Sequence, residues 1–197
     1  MAHGMTRLGS IALVALATAG CASAPARFYT LDSTATTERA PAARYAIVVG
    51  PVSIPAAVDR PQFVVQVAPN QVTIDEFNRW AAPLDDAIAR AVAGDLAVLL
   101  GTTRVATAPV PDGFAPTYRV TIDVQRFDTV PGEAVTIDAV WAVRPSAGGD
   151  AASGRTVARE PVQGADFGAI AAAHSRALAT VSNDIAAAVR TKANRKP

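Results

Sequence analysis

The nine residues "TYRVTIDVQ" at positions 117 to 125 alternate strictly between apolar and polar side chains. Side chains of a β-strand point alternately to its two faces, so this pattern predicts a strand with one dry face and one solvated face. The dry face carries Tyr118, Val120, Ile122 and Val124. The alternation slips at Arg126 and Phe127, which indicates a β-bulge.

The next two segments have the patterns of strands, and the turns that connect them predict antiparallel pairing. A Pro-Gly pair at 131 and 132 turns the chain into "EAVTIDAVWAVR" (133–144), which carries alternate apolar residues on one face. A glycine-rich turn at 147–154 leads to the weaker strand "RTVAREPV" (155–162). Proline lacks the N–H that a ladder needs, so Pro161 restricts this last strand to an edge of the sheet.

The strands before position 117 follow different patterns. "RYAIVVGPVSIP" (44–55) is a continuous apolar run, which is typical of a central strand that is buried on both faces. "QFVVQV" (62–67) and "QVTI" (71–74) flank a proline and an asparagine that favour a turn, so they predict a hairpin. The short run "RFYTL" (27–31) predicts a brief edge strand inside a linker that is rich in Ala, Pro, Ser and Thr.

Two segments show the three- and four-residue spacing of an amphipathic helix. The first has Pro83 in its opening turn and ends at Gly101, which favours a left-handed C-cap. Its apolar stripe is Leu84, Ile88, Val92, Leu96 and Leu99. The second carries the stripe Phe167, Ile170, His174, Leu178, Val181, Ile185 and Val189. This order of elements predicts an α+β single domain, with one curved mixed or antiparallel β-sheet and both long helices packed on one face.

The N-terminus has the layout of an export signal. Residues 8–20 are apolar or small, and Arg7 is the positive charge ahead of them. This run of about 13 residues is too short for a membrane span, which needs roughly 20. The stretch "TAGC", ending at Cys21, resembles a bacterial lipobox, whose cysteine is acylated and becomes the new N-terminus. An ordinary cleaved signal, cut after Ala19 or Ala24, is the alternative.

These features predict four regions along the chain. A lipoprotein signal peptide covers 1–20, and a lipidated N-terminus with a tether and the short edge strand covers 21–43. The folded α+β domain covers 44–192, and a disordered tail covers 193–197. The expected covalent groups are a diacylglycerol and an N-acyl chain on Cys21, which is the one cysteine of the chain.

The charge balance and the residue types exclude several function classes. The chain has 18 basic and 17 acidic residues, and loss of Arg7 with the signal leaves 17 of each (18 minus 1). A balanced domain without a basic cluster has no electrostatic reason to bind nucleic acid. One histidine without a free thiolate cannot lead a set of metal ligands, so the sequence predicts neither a metal site nor a cofactor.

Catalysis would have to use His174, the one histidine that remains after removal of the signal. A serine hydrolase could pair it with Ser53 or Ser175, but neither serine lies in a GxSxG elbow. The position of His174 within the helical stripe favours a packed histidine at the margin of a helix face. The sequence therefore predicts no catalytic residues, and a periplasmic serine hydrolase is a remote alternative.

Two segments contain more glycine, proline and polar residues than turns and periodicity require: "VGPVSIPAAVDRPQFV" (49–64) and "NQVTIDEFNRWAAPLDDAI" (70–88). Both resemble the signature of the PqiC-type auxiliary lipoproteins, and the lipidated start and the late Ala-rich helix resemble that family as well. The matching residues of the first segment are Gly50, Pro51, Pro55, Asp59, Arg60, Pro61 and Gln62. Those of the second are Asn70, Glu76, Phe77, Trp80, Ala81, Pro83 and Leu84.

The resemblance implies a non-enzymatic outer-membrane lipoprotein, lipid-anchored on the periplasmic face, that assists an ABC-type transport system with MCE-domain proteins. Such systems move lipids or other hydrophobic molecules between the two membranes, and Ala22 after the cysteine permits sorting to the outer one. The lipoprotein would dock the periplasmic MCE component, and a homo-oligomeric ring would match its ring-shaped partner. A periplasmic carrier that holds a lipid between helices and sheet is the alternative.

The polar residues of the two signature segments form the predicted partner-binding surface, because loops on a rigid scaffold commonly carry binding. They are Asp59, Arg60, Gln62, Asn70, Glu76 and Arg79. An ion pair of Arg60 with Asp59 or Glu76 is the structural alternative for that arginine. The motif residues that shape the backbone or fill the gap between helix and sheet are Gly50, Pro51, Pro55, Pro61, Pro83 and Trp80.

Overall fold

The computed structural model describes residues 24–37 and 44–194. The predicted signal peptide and Cys21 lie outside these ranges, so cleavage and acylation stay predictions. The described part contains two helices and eight strands, which confirms the predicted α+β class. The elements are β1 Arg27–Tyr29, β2 Ile47–Ser53, β3 Gln62–Ala68, β4 Gln71–Trp80, α1 Leu84–Leu100, β5 Val105–Thr107, β6 Tyr118–Val130, β7 Ala134–Pro145, β8 Ala152–Pro161 and α2 Phe167–Asn194.

The strands form two sheets, whereas the sequence predicted one curved sheet. The larger sheet has the order β5-β2-β6-β7-β8, in which β2 runs parallel to both neighbours and the rest pair antiparallel. The smaller sheet has the order β1-β4-β3, in which β3 and β4 form a hairpin and β1 runs parallel to β4. Local patterns predicted the hairpin, but they do not reveal that it pairs with β1 and stays separate from the larger sheet.

Both helices cover the same face of the five-stranded sheet, as the sequence predicted. α1 packs on β2 and β5, and α2 packs on β7, β8 and α1. The apolar stripes of the helices meet the dry faces of β6 and β7, and the side chains of Ile88, Val120, Ile137 and Ile185 are fully buried. Each such side chain contributes about 1.5 to 3 kcal/mol of burial free energy. Neither helix of the described ranges is long and apolar enough to cross a membrane.

Several local predictions are confirmed. The register between β6 and β7 shifts between Val124 and Arg126, where the alternation slips. Gly101 ends α1 in the left-handed conformation with φ 61°. β2 lies inside its sheet, and β8 lies at an edge. The last helix runs to Asn194, two residues into the segment that was predicted to be a disordered tail.

The hairpin of β3 and β4 is longer than the sequence predicted, because β4 continues to Trp80. Between the residue pairs Val64–Ile74 and Gln62–Arg79, the register of the two strands jumps. The unmatched residues of β4 therefore form a wide bulge in the middle of the smaller sheet.

The carboxylate of Asp75 holds this bulge in place. Its Oδ1 accepts hydrogen bonds from the backbone N–H groups of Phe77 (2.9 Å) and Asn78 (2.7 Å) and from the side-chain amide of Asn78 (2.9 Å). Burial raises the pKa of Asp75, but these donors outweigh it and hold the pKa below its usual value. The ionised side chain thus replaces the backbone acceptors that the partner strand does not supply.

The chain after β1 lies across the two helices, and we call it the N-terminal strap (residues 31–35). Leu31 is buried in the core, and the carboxylate of Asp95, on α1, binds the rest of the strap. Its Oδ1 accepts hydrogen bonds from the hydroxyl of Ser33 (2.8 Å) and from the backbone N–H groups of the next two residues (2.9 Å each). The sequence assigned 21–43 to a tether and an edge strand, but this part of it docks on the domain.

Helix α2 completes the attachment of the strap. The Ser182 hydroxyl donates to Oδ2 of Asp95 at 2.9 Å, and Ser175 accepts the backbone N–H of Asp32 at 3.1 Å. Asp95 is fully buried, so its charge is balanced only by these donors. The carboxylate therefore joins the strap, α1 and α2 at one point.

We expect Asp95→Ala to release the strap and to lower the free energy of unfolding by about 2 kcal/mol, because buried donors lose a charged acceptor. Hydrogen exchange at the amides of Thr34 and Ala35 should accelerate before the core exchanges. The control is Asp86→Ala, which removes an exposed carboxylate from the same helix. Unchanged protection at both strap amides would show that Asp95 does not hold the strap.

Candidate functional site

The six predicted partner-binding residues do not form one cluster. Gln62 begins β3 and Arg79 stands opposite it on β4, and Arg60 lies in the loop just before them. Asn70 lies at the turn of the hairpin, at the far end of the same sheet. Glu76 lies in the bulge of β4, so both it and Arg79 belong to a strand, whereas the sequence placed them in loops.

The structure adds Phe28 to the group at the base of the hairpin. Arg79 is flanked by Phe28 from β1 and by Gln62 from β3, since both pair with it in register. Residues that are directly opposite on neighbouring strands point to the same face of a sheet. The Phe28 side chain is 63% exposed. We call Phe28, Arg60, Gln62 and Arg79 the docking surface.

The charges at this end of the small sheet are unpaired. Within the described ranges, Asp59, Arg60, Glu76 and Arg79 take part in no salt bridge, so the predicted alternative of an ion pair for Arg60 is absent there. Arg79 donates through Nε to the backbone carbonyl of Glu76 at 3.2 Å. The Nε atom of Arg60 is buried and finds no acceptor among the described residues.

Several charged side chains on the outer face of the five-stranded sheet form salt bridges. Asp138 is held by two hydrogen bonds from Arg155, of 2.8 and 2.6 Å, and Arg159 pairs with Glu133. The bonds and charge of Arg155 hold the pKa of Asp138 below its usual value, although burial opposes them. These charges are neutralised within the domain, whereas Arg119 and Arg144 of the same face take part in no salt bridge among the described residues. The docking surface differs in that its Arg79 lies next to the exposed Phe28.

The glycine and proline residues of the signature shape the backbone at several points of the domain. Gly50 has φ 116°, which a side chain rarely permits, and a Cβ there would lie 3.0 Å from the Cβ of Ala108. The carbonyl of Pro61 accepts the backbone N–H of Trp80, which joins the loop before β3 to the end of β4. Pro83 lies immediately before the first residue of α1.

An aromatic cluster lies directly beneath the docking surface, on the inner face of the small sheet. Trp80 is 5% exposed and stacks on Phe63, with 4.0 Å between the ring centroids. Phe127 meets the edge of Trp80 at 6.1 Å and stacks on His174 at 3.9 Å with the planes 4° apart. The cluster joins the small sheet to β6 and α2, so it fixes the docking surface relative to the main domain.

His174 is completely buried, whereas the sequence placed it at the margin of a helix face. Its Nε2 lies 2.8 Å from the hydroxyl of Thr129, and its Nδ1 has no hydrogen-bond partner in the described residues. Burial lowers the pKa of His174 from 6.5 to about 3, so the ring is neutral at physiological pH. The expected position at the margin of the helix face was wrong, because an apolar stripe in the sequence cannot show that a second sheet covers this part of the helix.

The two serines that a hydrolase would need are engaged elsewhere. Ser53 donates to the carboxylate of Asp123 at 2.7 Å, and Ser175 donates to the backbone carbonyl of Ala171 at 3.0 Å. The hydrogen bond of His174 goes to Thr129 and not to a serine. Within the described ranges, no three His, Cys, Asp or Glu side chains come together as metal ligands. The geometry of these residues therefore assembles no hydrolytic site.

Sequence reasoning missed Phe28 and Asp95. Phe28 lies in the run that predicted an edge strand, but its neighbour Arg79 is known only from the pairing of β1 with β4. Asp95 interrupts the apolar stripe between Val92 and Leu96, and a carboxylate on a buried helix face is a signal that could have been recognised.

The fold has close counterparts among solved structures. A protein from Xanthomonas campestris, described as belonging to a family of unknown function numbered 330, is 20% identical, with a TM-score of 0.68. The match covers 85% of this chain and 99% of that one. An uncharacterized protein gives a TM-score of 0.67 at 20% identity and covers 84% of this chain and 99% of its own. At this identity, the likeness shows the fold.

Sequence comparison identifies the family in addition to the fold. No curated protein matches the chain. A family model described as the ABC-type transport auxiliary lipoprotein component matches residues 29–186, which include both signature segments, the aromatic cluster and the strap. This span is most of the chain. The protein therefore belongs to the family of ABC-type transport auxiliary lipoprotein components.

Proposed function

We propose that this protein is an outer-membrane lipoprotein that docks the periplasmic MCE component of an ABC-type system for lipids or other hydrophobic molecules. Acyl chains on Cys21 hold it to the inner leaflet of the outer membrane, where two or more chains bind far more firmly than surface charge could. The folded domain meets the end of the MCE assembly and acts as its receptor. Family membership in transport auxiliary lipoproteins supports this role.

The observation that carries the docking role is the exposed Phe28 directly beside Arg79 on neighbouring strands. Within the described ranges, neither Arg79 nor Arg60 of this surface has a carboxylate partner. Arginine and aromatic side chains are enriched where protein interfaces derive their binding energy. A guanidinium group also offers five donors and a plane that stacks on partner groups. An acidic or carbonyl-rich surface of the MCE component would supply the missing acceptors.

A ring-shaped partner favours a ring of lipoproteins. MCE assemblies of the resembled systems are rings, and a closed rotational oligomer presents one docking surface to each subunit of such a ring. Each contact can then be weak, because several contacts formed together add avidity.

The alternative of a lipid carrier is less well supported by the packing. A carrier would hold its lipid between the helices and the five-stranded sheet. Core side chains such as Val92, Leu96 and Leu178 fill that space and are almost completely buried. A surface groove of about 350 Å³ lies instead on the opposite face of the sheet, next to Ser53 and Asp123.

Charge reversal tests the docking role. We expect at least one of the variants Arg60→Glu and Arg79→Glu to leave the melting temperature close to that of the wild type and to abolish capture of the MCE component in a pull-down. Reversal of one charge in an interface should weaken binding by about 2 kcal/mol or more, which is roughly thirtyfold. Thermal melting and pull-down are measured on the same preparations.

The matched control is Arg119→Glu, which reverses an exposed arginine without a salt bridge on the outer face of β6. This variant should capture the MCE component as the wild type does. If Arg60→Glu and Arg79→Glu also bind like the wild type, the contact lies elsewhere. If both of them unfold the domain, these arginines serve the fold.

A further inference from the structure

The tip of the β3–β4 hairpin exposes apolar side chains that nothing in the described protein covers. We define the hairpin tip as residues 67–74. Val67 is 53% exposed, Val72 58% and Ile74 39%, and these residues come from both strands. The pair Gln66–Val72 points to one face and Val67 to the other, so the tip extends beyond the core and is solvated on both sides.

The tip is also without charge. Between Arg60 and Asp75 lie 14 residues, none of which is Asp, Glu, Lys or Arg, in a chain that is 18% charged. At the average composition this stretch would hold two or three charges. β3 is an edge strand of its sheet, and exposed edges of soluble proteins are usually protected by charged side chains. An uncharged hairpin tip with three exposed aliphatic side chains is suited to an apolar or interfacial environment.

The direction of β1 relates this tip to the proposed membrane anchor. β4 runs from the tip towards Trp80, and β1 runs parallel to it, with Arg27 opposite Asn78. The chain that precedes Arg27 consequently leaves β1 at the end that faces the tip. The described chain therefore enters β1 from the side of the docking surface on which the tip lies, and the proposed anchor precedes this entry.

The lengths agree with this direction. Cys21 precedes Arg27 by six residues, which span at most about 20 Å at 3.4 Å for each residue. From the pair Gln62–Arg79 to the pair Ala68–Gln71, β3 makes six steps, which span roughly 20 Å at the rise of a β-strand. With Cys21 at the bilayer surface, the hairpin tip reaches that surface too.

We infer that the hairpin tip inserts into the headgroup and upper acyl region of the membrane that holds the anchor. This inference rests on the proposed acylation of Cys21. The tip then acts as a second, non-covalent contact, and apolar side chains that enter the interface are stabilised by burial in the acyl boundary. Two contacts fix the orientation of the domain and hold the docking surface, at the opposite end of the hairpin, roughly 20 Å from the membrane surface.

A fluorescent label on the tip tests the inference in the full-length acylated protein. The chain has one cysteine, and acylation consumes its thiol, so Val72→Cys provides a single reactive thiol. The probe is an environment-sensitive fluorophore on this thiol. The protein is reconstituted into vesicles of phosphatidylethanolamine and phosphatidylglycerol, with or without a phospholipid that carries a spin label near the top of its acyl chain. Val157→Cys is the control, because Val157 is 59% exposed on β8, far from the hairpin.

We expect the label at position 72 to shift its emission to the blue and to be quenched several-fold by the spin-labelled lipid, with the label at 157 unaffected. A label at 72 that behaves like the label at 157 on anchored protein overturns the inference and leaves the anchor intact. Metabolic labelling with a clickable fatty acid, with Cys21→Ser as control, tests the anchor separately, and an unlabelled wild type overturns both proposals. The inference is also overturned if the emission shifts to the blue only after the MCE component is added and the spin-labelled lipid does not quench the label. The hairpin tip would then contact a protein.

Discussion

Lowering the pH from 7 to 4.5 should cost the folded domain roughly 2 to 3 kcal/mol through one side chain, His174. Burial lowers the pKa of this histidine from 6.5 to about 3. The neutral ring is therefore favoured in the folded state, while the unfolded chain takes up a proton below about pH 6.5. The stability contribution is complete above that pH and is lost by about 1.4 kcal/mol for each pH unit as the pH falls towards 3.

Urea unfolding at pH 7, 6, 5 and 4.5 measures this effect. The control is His174→Gln, which should be less stable at pH 7 by about 1 to 2 kcal/mol, because the stacked ring and its bond to Thr129 are lost. Its stability should change little down to pH 4.5. Parallel pH profiles for the two proteins would contradict the assignment.

Asp75 and Asp138 do not obscure this window. The pKa values of Asp75 and Asp138 are held below 3.8 in the folded protein. For a carboxyl group with a lowered pKa, the stabilisation is complete above the unfolded value and is lost only as the pH falls below it. Their contribution therefore decreases chiefly below pH 4, after most of the loss through His174 has occurred.

Replacement of Trp80 by alanine should lower the free energy of unfolding by roughly 3 to 5 kcal/mol. The indole ring stacks on Phe63 and meets Phe127, so its loss leaves a cavity between the small sheet and the main domain. A domain of this kind is stable by about 5 to 15 kcal/mol in total, so the variant should melt far below the wild type.

Phe28→Ala is the matched control, since it removes an exposed aromatic ring from the neighbouring strand of the same sheet. This change should cost less than about 1 kcal/mol, yet it removes part of the docking surface. Melting and pull-down on both variants separate the roles of the two rings. A Trp80→Ala protein that melts like the wild type would show that the aromatic cluster does not hold the small sheet.

Much of the fold was predictable because its signals are local. The alternation from Tyr118 to Val124, the apolar stripes of both helices and the left-handed Gly101 each depend on residues that are neighbours in sequence. The strand patterns of 62–67 and 71–74 also predicted the hairpin of the small sheet, although not that this hairpin lies in a sheet of its own.

The remainder depends on contacts between distant parts of the chain. The parallel pairing of Phe28 with Arg79 joins residues that no spacing rule connects, and local patterns likewise do not show that the hairpin is separate from the five-stranded sheet. For the same reason Arg79 was expected in a loop, and the attachment of the strap to Asp95 was not expected at all. The charged residues at the candidate site could be named from sequence, but their lack of salt bridges required the structure.

The parallel arrangement of β1 and β4 also determines how the domain resists mechanical force. With Cys21 as the anchor and the docking surface engaged, a pull between membrane and partner acts along the axis of β1. The hydrogen bonds of β1 lie across that axis, so they are loaded together in shear and do not open one after another. The bonds of the strap to Asp95 follow β1 in series. Tension applied to the N-terminus is thus transmitted through β1 and the strap to both helices.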